Sequence, residues 1–160
     1  MAFMNGFREL VMDLCAVFEM PDPAFTENAA LIDLNNIALT ISYIGDNLHF
    51  SALIGALPEH SPRREEVTRK LLQGSLGILR SHSVLIHLKN KQGQNFVATE
   101  FNIPKTEMHA HNIKSSFDDF RAITAAVKDI ITGVEQPKFG VYPSFGSSDI
   151  TDDAEFVFRP

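Results

Sequence analysis

Short alternating apolar runs joined by tight turns constrain this chain most. Ile37, Leu39, Ile41 and Tyr43 alternate with Ala38, Thr40 and Ser42, the two-residue period of a strand with one face on a core. Gly45-Asp46-Asn47 makes a turn, and Leu48, Phe50, Ala52 and Ile54 then share a face. Before them, Leu31 to Leu34 reads as a short strand ended by an Asn35-Asn36 turn. Later, Val84, Ile86 and Leu88 alternate with Leu85, His87 and Lys89, and Phe96, Ala98 and Glu100 alternate with Val97, Thr99 and Phe101, across a turn at Asn90–Gly93. Loops this short cannot carry the crossover that parallel strands need, so both groups are antiparallel.

Three stretches have helical spacing. Phe7, Leu10, Val11, Leu14, Val17 and Phe18 predict a helix over about 6–18, stopped by Pro21 and Pro23. A second runs from Ser61, as cap, and Pro62, at the first position, to about Arg80, with Val67, Leu71, Leu72, Leu76 and Leu79 as its stripe. Gly74 and Gly77 lie inside it. Each weakens a helix by about 1 kcal/mol relative to alanine. They are either a tolerated weakness or room for a close backbone, such as an identical helix across a dimer axis. The third runs from Ile113 or Ser115 to Thr132, with Phe117, Phe120, Ile123, Thr124, Val127, Ile130 and Ile131 on one side and Gly133 as terminator. The order is helix, three strands, helix, two strands, helix. Strands in runs, separated by single helices, predict an α+β fold with an antiparallel sheet packed against three helices.

The 160 residues suit one domain over 1–133 plus an acidic tail over 134–160. That tail holds five acids and two bases, half of the net charge of −6, together with Phe139, Tyr142, Phe145, Phe156 and Phe158. It reads as a solubilising extension, a segment that packs back on the domain, or one that docks on a partner. A net-negative chain has no general electrostatic reason to bind nucleic acid. No apolar run approaches the roughly 20 residues of a membrane-spanning helix, and the first ten residues lack the pattern of a cleaved signal peptide. A single cysteine, Cys15, rules out an internal disulfide and suits a reducing cytoplasm.

Catalytic motifs are missing. There is no phosphate-cradling Gly-x-x-x-x-Gly-Lys loop, no Gly-x-Gly-x-x-Gly and no Gly-x-Ser-x-Gly. Cys15 has no basic neighbour to activate it and reads as core. His109 and His111 with Glu107 are too few and too loop-like for a metal site, and His49, His60, His82 and His87 are scattered along the chain. Asp118 and Asp119 diverge by about 100° on a helix and form no catalytic pair. These readings predict no enzyme, no cofactor and no metal.

The chain resembles the class I type III secretion chaperones, the CesT-like or Tir-chaperone family, over roughly residues 3–133. The resemblance rests on the opening helix Phe7-Arg8-Glu9-Leu10-Val11-Met12-Asp13-Leu14, the meander Ile37 to Ile41 then Leu48-His49-Phe50, the helix Val67–Leu79 after a proline-bearing loop, and the amphipathic helix from Phe117-Asp118-Asp119-Phe120. It implies a cytoplasmic bacterial homodimer that holds the N-terminal segment of one or more secreted effectors extended and delivers it to an export apparatus, with the secretion ATPase as a further partner. It further implies effector contacts at Leu10, Leu14, Phe18, Leu39, Ile41 and Phe50, and a dimer interface at Leu71, Leu72, Gly74, Ser75, Leu76, Leu79 and Leu85. Each of these apolar residues is equally a core position by its spacing. The alternatives are a non-catalytic regulatory or adaptor module of similar fold, and a small-ligand-binding α+β domain.

Overall fold

The computed structural model describes residues 2–81 and 84–133, with side chains over 6–75 and 84–133. The elements run α1 (Ala2–Val17), β1 (Ala24–Phe25), β2 (Ala29–Leu34), β3 (Ile37–Ile44), β4 (Asn47–Ala56), α2 (Ser61–Ser81), β5 (Leu85–Lys91), β6 (Gln94–Ile103), a 3-10 turn at Lys105–Glu107, and α3 (Ala110–Thr132). This is the expected α+β order with one addition, the two-residue strand β1. The sheet has six strands in the order β1-β2-β3-β4-β6-β5, all antiparallel.

The turns obey backbone chemistry. Asn35 and Asn36 both take positive φ, 53° and 65°, as do Gln92 and Gly93, at 51° and 81°. A two-residue hairpin favours this left-handed pair because its twist matches that of the strands. Asp33 and Asn90 brace the two turns by accepting the backbone N–H of Asn36 and of Gly93.

The helix ends differ from the sequence reading. α1 stops at Val17, before the prolines. Glu19 turns left-handed at φ 50° while the Met20 N–H donates to the Cys15 carbonyl, a closure that takes up an end carbonyl of the helix. At the start of α2 the Arg64 N–H donates to the His60 carbonyl, so Ser61 lies inside the helix and its hydroxyl meets Glu65 one turn on instead of capping the backbone. α3 begins at Ala110, earlier than its apolar stripe, and ends with Gly133 at φ 75°.

One face of the sheet carries the core. The row Ala30, Ile41, Phe50, Phe101 crosses four strands, and Ile32, Leu39, Ala52, Thr99, Ile86 crosses five. The three helices lie on this face. Phe50 sits beneath α3, its ring centroid 5.1 Å from that of Phe117 and 5.9 Å from that of Phe120. Phe18 at the end of α1 meets Phe117 at 5.3 Å, and Phe7 meets Tyr43 at 5.3 Å. Aromatic rings remove large areas from water, and tilted pairs add to that. All seven residues of the expected α3 stripe are buried, as is Cys15.

Candidate protein-binding surface

An edge strand leaves a row of unpaired backbone groups, and soluble proteins blunt such rows with charge, shortness or cover. β5 is the long edge of this sheet. Its second half carries Lys89 and Lys91, but its first half does not carry such protection. Leu85 lies opposite Glu100 and Leu88 opposite Val97, so they project from opposite faces, and each is 53% exposed. On the helix-covered side Leu72 of α2, 62% exposed, lines the same cleft as Leu88. Between α2 and β5 runs a cleft of about 120 Å³ whose walls include Leu57, Leu71, Ser75, Ile86 and Val97. Leucines on both faces of an edge, next to an apolar cleft, form a patch suited to a protein partner.

The other edge is also incomplete. β1 pairs only with Ala30 and Leu31 of β2, so Ile32–Leu34 has no outer strand partner among the described residues. Leu31 is exposed there, and so are Met12 and Val17 on α1.

The expected contact residues are distributed as follows. Leu14, Leu39, Ile41 and Phe50 are all buried, at 2% exposure or less, so in the isolated chain they build the core. Leu10 and Phe18 are partly buried against it. Of the interface set, Leu72 and Leu85 are exposed, Leu71 and Gly74 are buried and Ser75 is half-buried. The Ser75 hydroxyl donates to the Leu71 carbonyl. The side chains of Leu76 and Leu79 lie outside the described residues, as does the tail 134–160. Met12, Val17, Leu31 and Leu88 are exposed as well; a period marks an apolar face without saying whether anything covers it.

The sequence reading missed a polar cluster on the open face of the sheet. Glu100 of β6 receives Lys89 Nζ of β5 at 2.8 Å; His87 Nε2 of β5 lies 3.1 Å away without hydrogen-bond geometry, and His49 Nε2 of β4 at 3.8 Å. Burial pushes the His49 imidazole below its ordinary pKa, against the opposing pull of Glu100. Burial alone would raise Glu100, but the Lys89 hydrogen bond and the charges of His87, Lys89 and His49 outweigh it and hold the carboxyl low. The signal was legible in principle: these residues share one parity once the strands are paired. His109 precedes α3 and His111 lies in its first turn, so they do not share a strand face. Among the described residues no three metal-ligating side chains converge, and no helix is long and apolar enough to cross a membrane. Burial raises the Cys15 thiol pKa, helped by Asp22, which disfavours the reactive thiolate.

No family model and no curated protein matches the sequence. Solved structures do. A chain in the HopA1–SchA chaperone–effector complex aligns with a TM-score of 0.55 at 19% identity, over 77% of this chain and 93% of that one. The ExsC–ExsE complex gives 0.53 at 9% identity, over 79% and 94%. The fold is that of the type III secretion chaperones. YbjN from E. coli shares it, at a TM-score of 0.56 and 11% identity, over 78% of this chain and 91% of that one. At these identities the likeness is one of fold. On the type III secretion chaperone fold, this chain's two incomplete edges and its exposed leucines are the surfaces from which a function has to be argued.

Proposed function

We propose that this protein is a chaperone that binds the N-terminal segment of type III secreted effectors, holds it extended and helps deliver it to the export apparatus. The observation that carries the reading is the apolar edge: Leu85 and Leu88 on opposite faces of β5, with Leu72 of α2 beside Leu88. Such an edge calls for a protein partner, and a second copy of the chain fits it through α2 and the first half of β5. The shared fold with chains from chaperone–effector complexes supports an effector as the other partner. That segment adds as a strand along Ile32–Leu34, with apolar side chains set against Leu31, Met12, Val17, Leu10 and Phe18.

The test is capture of the tagged full chain from its host, with the mass of the captured species read by light scattering. The expected species is a dimer of twice the 17.8 kDa chain mass, joined by larger proteins that are released when their N-terminal segments are deleted. A monomer without a protein partner would overturn the reading. A dimer whose partner stays bound after that deletion would favour the regulatory or adaptor alternative.

A further inference from the structure

The two ends of the sheet differ in charge as well as in shape. Residues 1–36, which supply α1, β1 and β2, hold the acids Glu9, Asp13, Glu19, Asp22, Glu27 and Asp33 against one base, Arg8. Residues 37–133 hold nine acids and eleven bases. The acidity of the domain is therefore gathered at one end. All six of these acids are exposed, and none forms an ion pair among the described residues. Arg8 lies over the Phe25 ring instead, 5.0 Å from its centroid.

Apolar side chains are exposed among the acids. α1 seats on β1 through Phe7, whose ring meets that of Phe25 edge-on at 6.5 Å, so the helix and the β1–β2 edge adjoin. Met12 and Val17 lie about 140° apart around α1, at roughly 100° per residue. Glu9, Asp13 and Ala16 lie between them, and all of these residues are exposed. Leu31 is exposed on β2, two residues from Asp33 and on the same face of the strand. Bare apolar area of this kind marks a protein contact. The unpaired acids around it select the charge of the partner.

We propose that this end receives an extended protein segment in which lysines or arginines stand among apolar residues. The apolar side chains of the segment meet Met12, Val17 and Leu31, and its cations meet Glu9, Asp13 and Asp33. The long stems of Lys and Arg suit such a surface, because they lay methylene groups over Ala16 while the charged head reaches a carboxylate. An acidic segment is repelled here, which sharpens the choice of partner. This partner chemistry rests on the reading of the α1–β2 end as the place where an extended segment binds.

The experiment uses the full chain and fluorescein-labelled peptides that share leucines in a frame of serine and threonine and differ only beside each leucine, where they carry Lys, Ser or Glu. Binding is read by fluorescence anisotropy. At low salt the Lys peptide is expected to bind roughly tenfold tighter than the Ser peptide, with the Glu peptide the weakest. Salt at about 0.5 M should erase most of the difference. Glu9→Gln/Asp13→Asn should remove most of the Lys advantage and leave the Ser peptide unaffected. Both side chains are exposed, so circular dichroism should be unchanged. Equal affinity for the Lys and Glu peptides would overturn the charge assignment and leave the extended-segment reading standing. Failure of every peptide to bind would overturn both. An unchanged Lys advantage in the double variant would overturn the proposal by moving the cations to other acids, such as Asp149, Asp152, Asp153 and Glu155. Assemblies larger than a dimer that the double variant disperses would also overturn it, because they would give the surface to a second copy of the chain.

Discussion

Thr99 on β6 and Thr124 on α3 face each other with their hydroxyl oxygens 2.9 Å apart, both side chains buried. This hydrogen bond adds a directional contact to the apolar stripe that sets which side of α3 meets the sheet. Removing one partner leaves the other hydroxyl buried and unpaired, at a cost of about 1–3 kcal/mol, whereas replacing both by apolar groups of the same shape is close to neutral. Thr124→Val is therefore expected to lower the urea midpoint, and Thr99→Val/Thr124→Val to recover most of the loss. A double variant as unstable as the sum of the two singles would show that the pair is not coupled.

The aromatic centre predicts a larger effect. Phe117 is fully buried and touches the rings of Phe18, Phe50 and Phe120. Phe117→Ala removes the ring and leaves a cavity that rigid neighbours cannot fill, at a cost of about 3–5 kcal/mol. Val17→Ala on α1, with Val17 half exposed, is expected to change stability by less than about 0.5 kcal/mol. Chemical denaturation of both variants checks the contrast, and equal losses would place Phe117 outside the core.

These two residues show how far the sequence could be read. Phe117 was legible because the α3 stripe holds its period from there to Ile131 and nothing else explains it. The pairing of β3 with β4 was legible because their turn is short and both alternate cleanly. Leu39 and Ile41 were legible as one face of a strand, but not as covered or open, because cover depends on where α1 and α3 land. β1 was invisible because so short a strand has no period. Glu100 and His87 sit on different strands and meet only through the β5–β6 register. That register fixes which polar groups converge only once the strands are paired, so the cluster could not be found by scanning for motifs.

That cluster gives the protein a directional response to acid. The folded Glu100 carboxyl is held low, so the unfolded chain takes up its proton first as the pH falls. The folded His49 imidazole is also held low, so the unfolded chain again takes the proton first, from the ordinary histidine value of about 6.5 downward. In both cases the unfolded state binds more protons, and stability rises with pH. The sign is the same for both groups, but the windows differ. Stability is expected to decline first as the pH drops below about 6.5 and again near the carboxylate range, about 4.5 and below. His49→Gln should flatten the upper part of a denaturation-midpoint curve and Glu100→Gln the lower part. A Glu100→Gln curve that matches wild type below about pH 5 would remove Glu100 from the acid response.

The exposed leucines make the assembly prediction. Burying one leucine contributes about 1.5–3 kcal/mol, and in a two-fold interface each substitution acts on both copies. Leu72→Ser or Leu88→Ser is thus expected to weaken a homodimer through α2 and β5 by about 100-fold or more, at about 1.4 kcal/mol per tenfold. Neither change opens a cavity within the protomer, since both side chains are more than half exposed, so far-ultraviolet circular dichroism should be unchanged. Lys91→Ser, on the protected half of the same strand, should leave the mass unaltered. Sedimentation at a fixed concentration distinguishes the 17.8 kDa chain from twice that mass. If Leu72→Ser and Leu88→Ser both sediment as the wild-type dimer, then the second copy sits elsewhere, and the leucine edge of β5 is left for an extended partner strand.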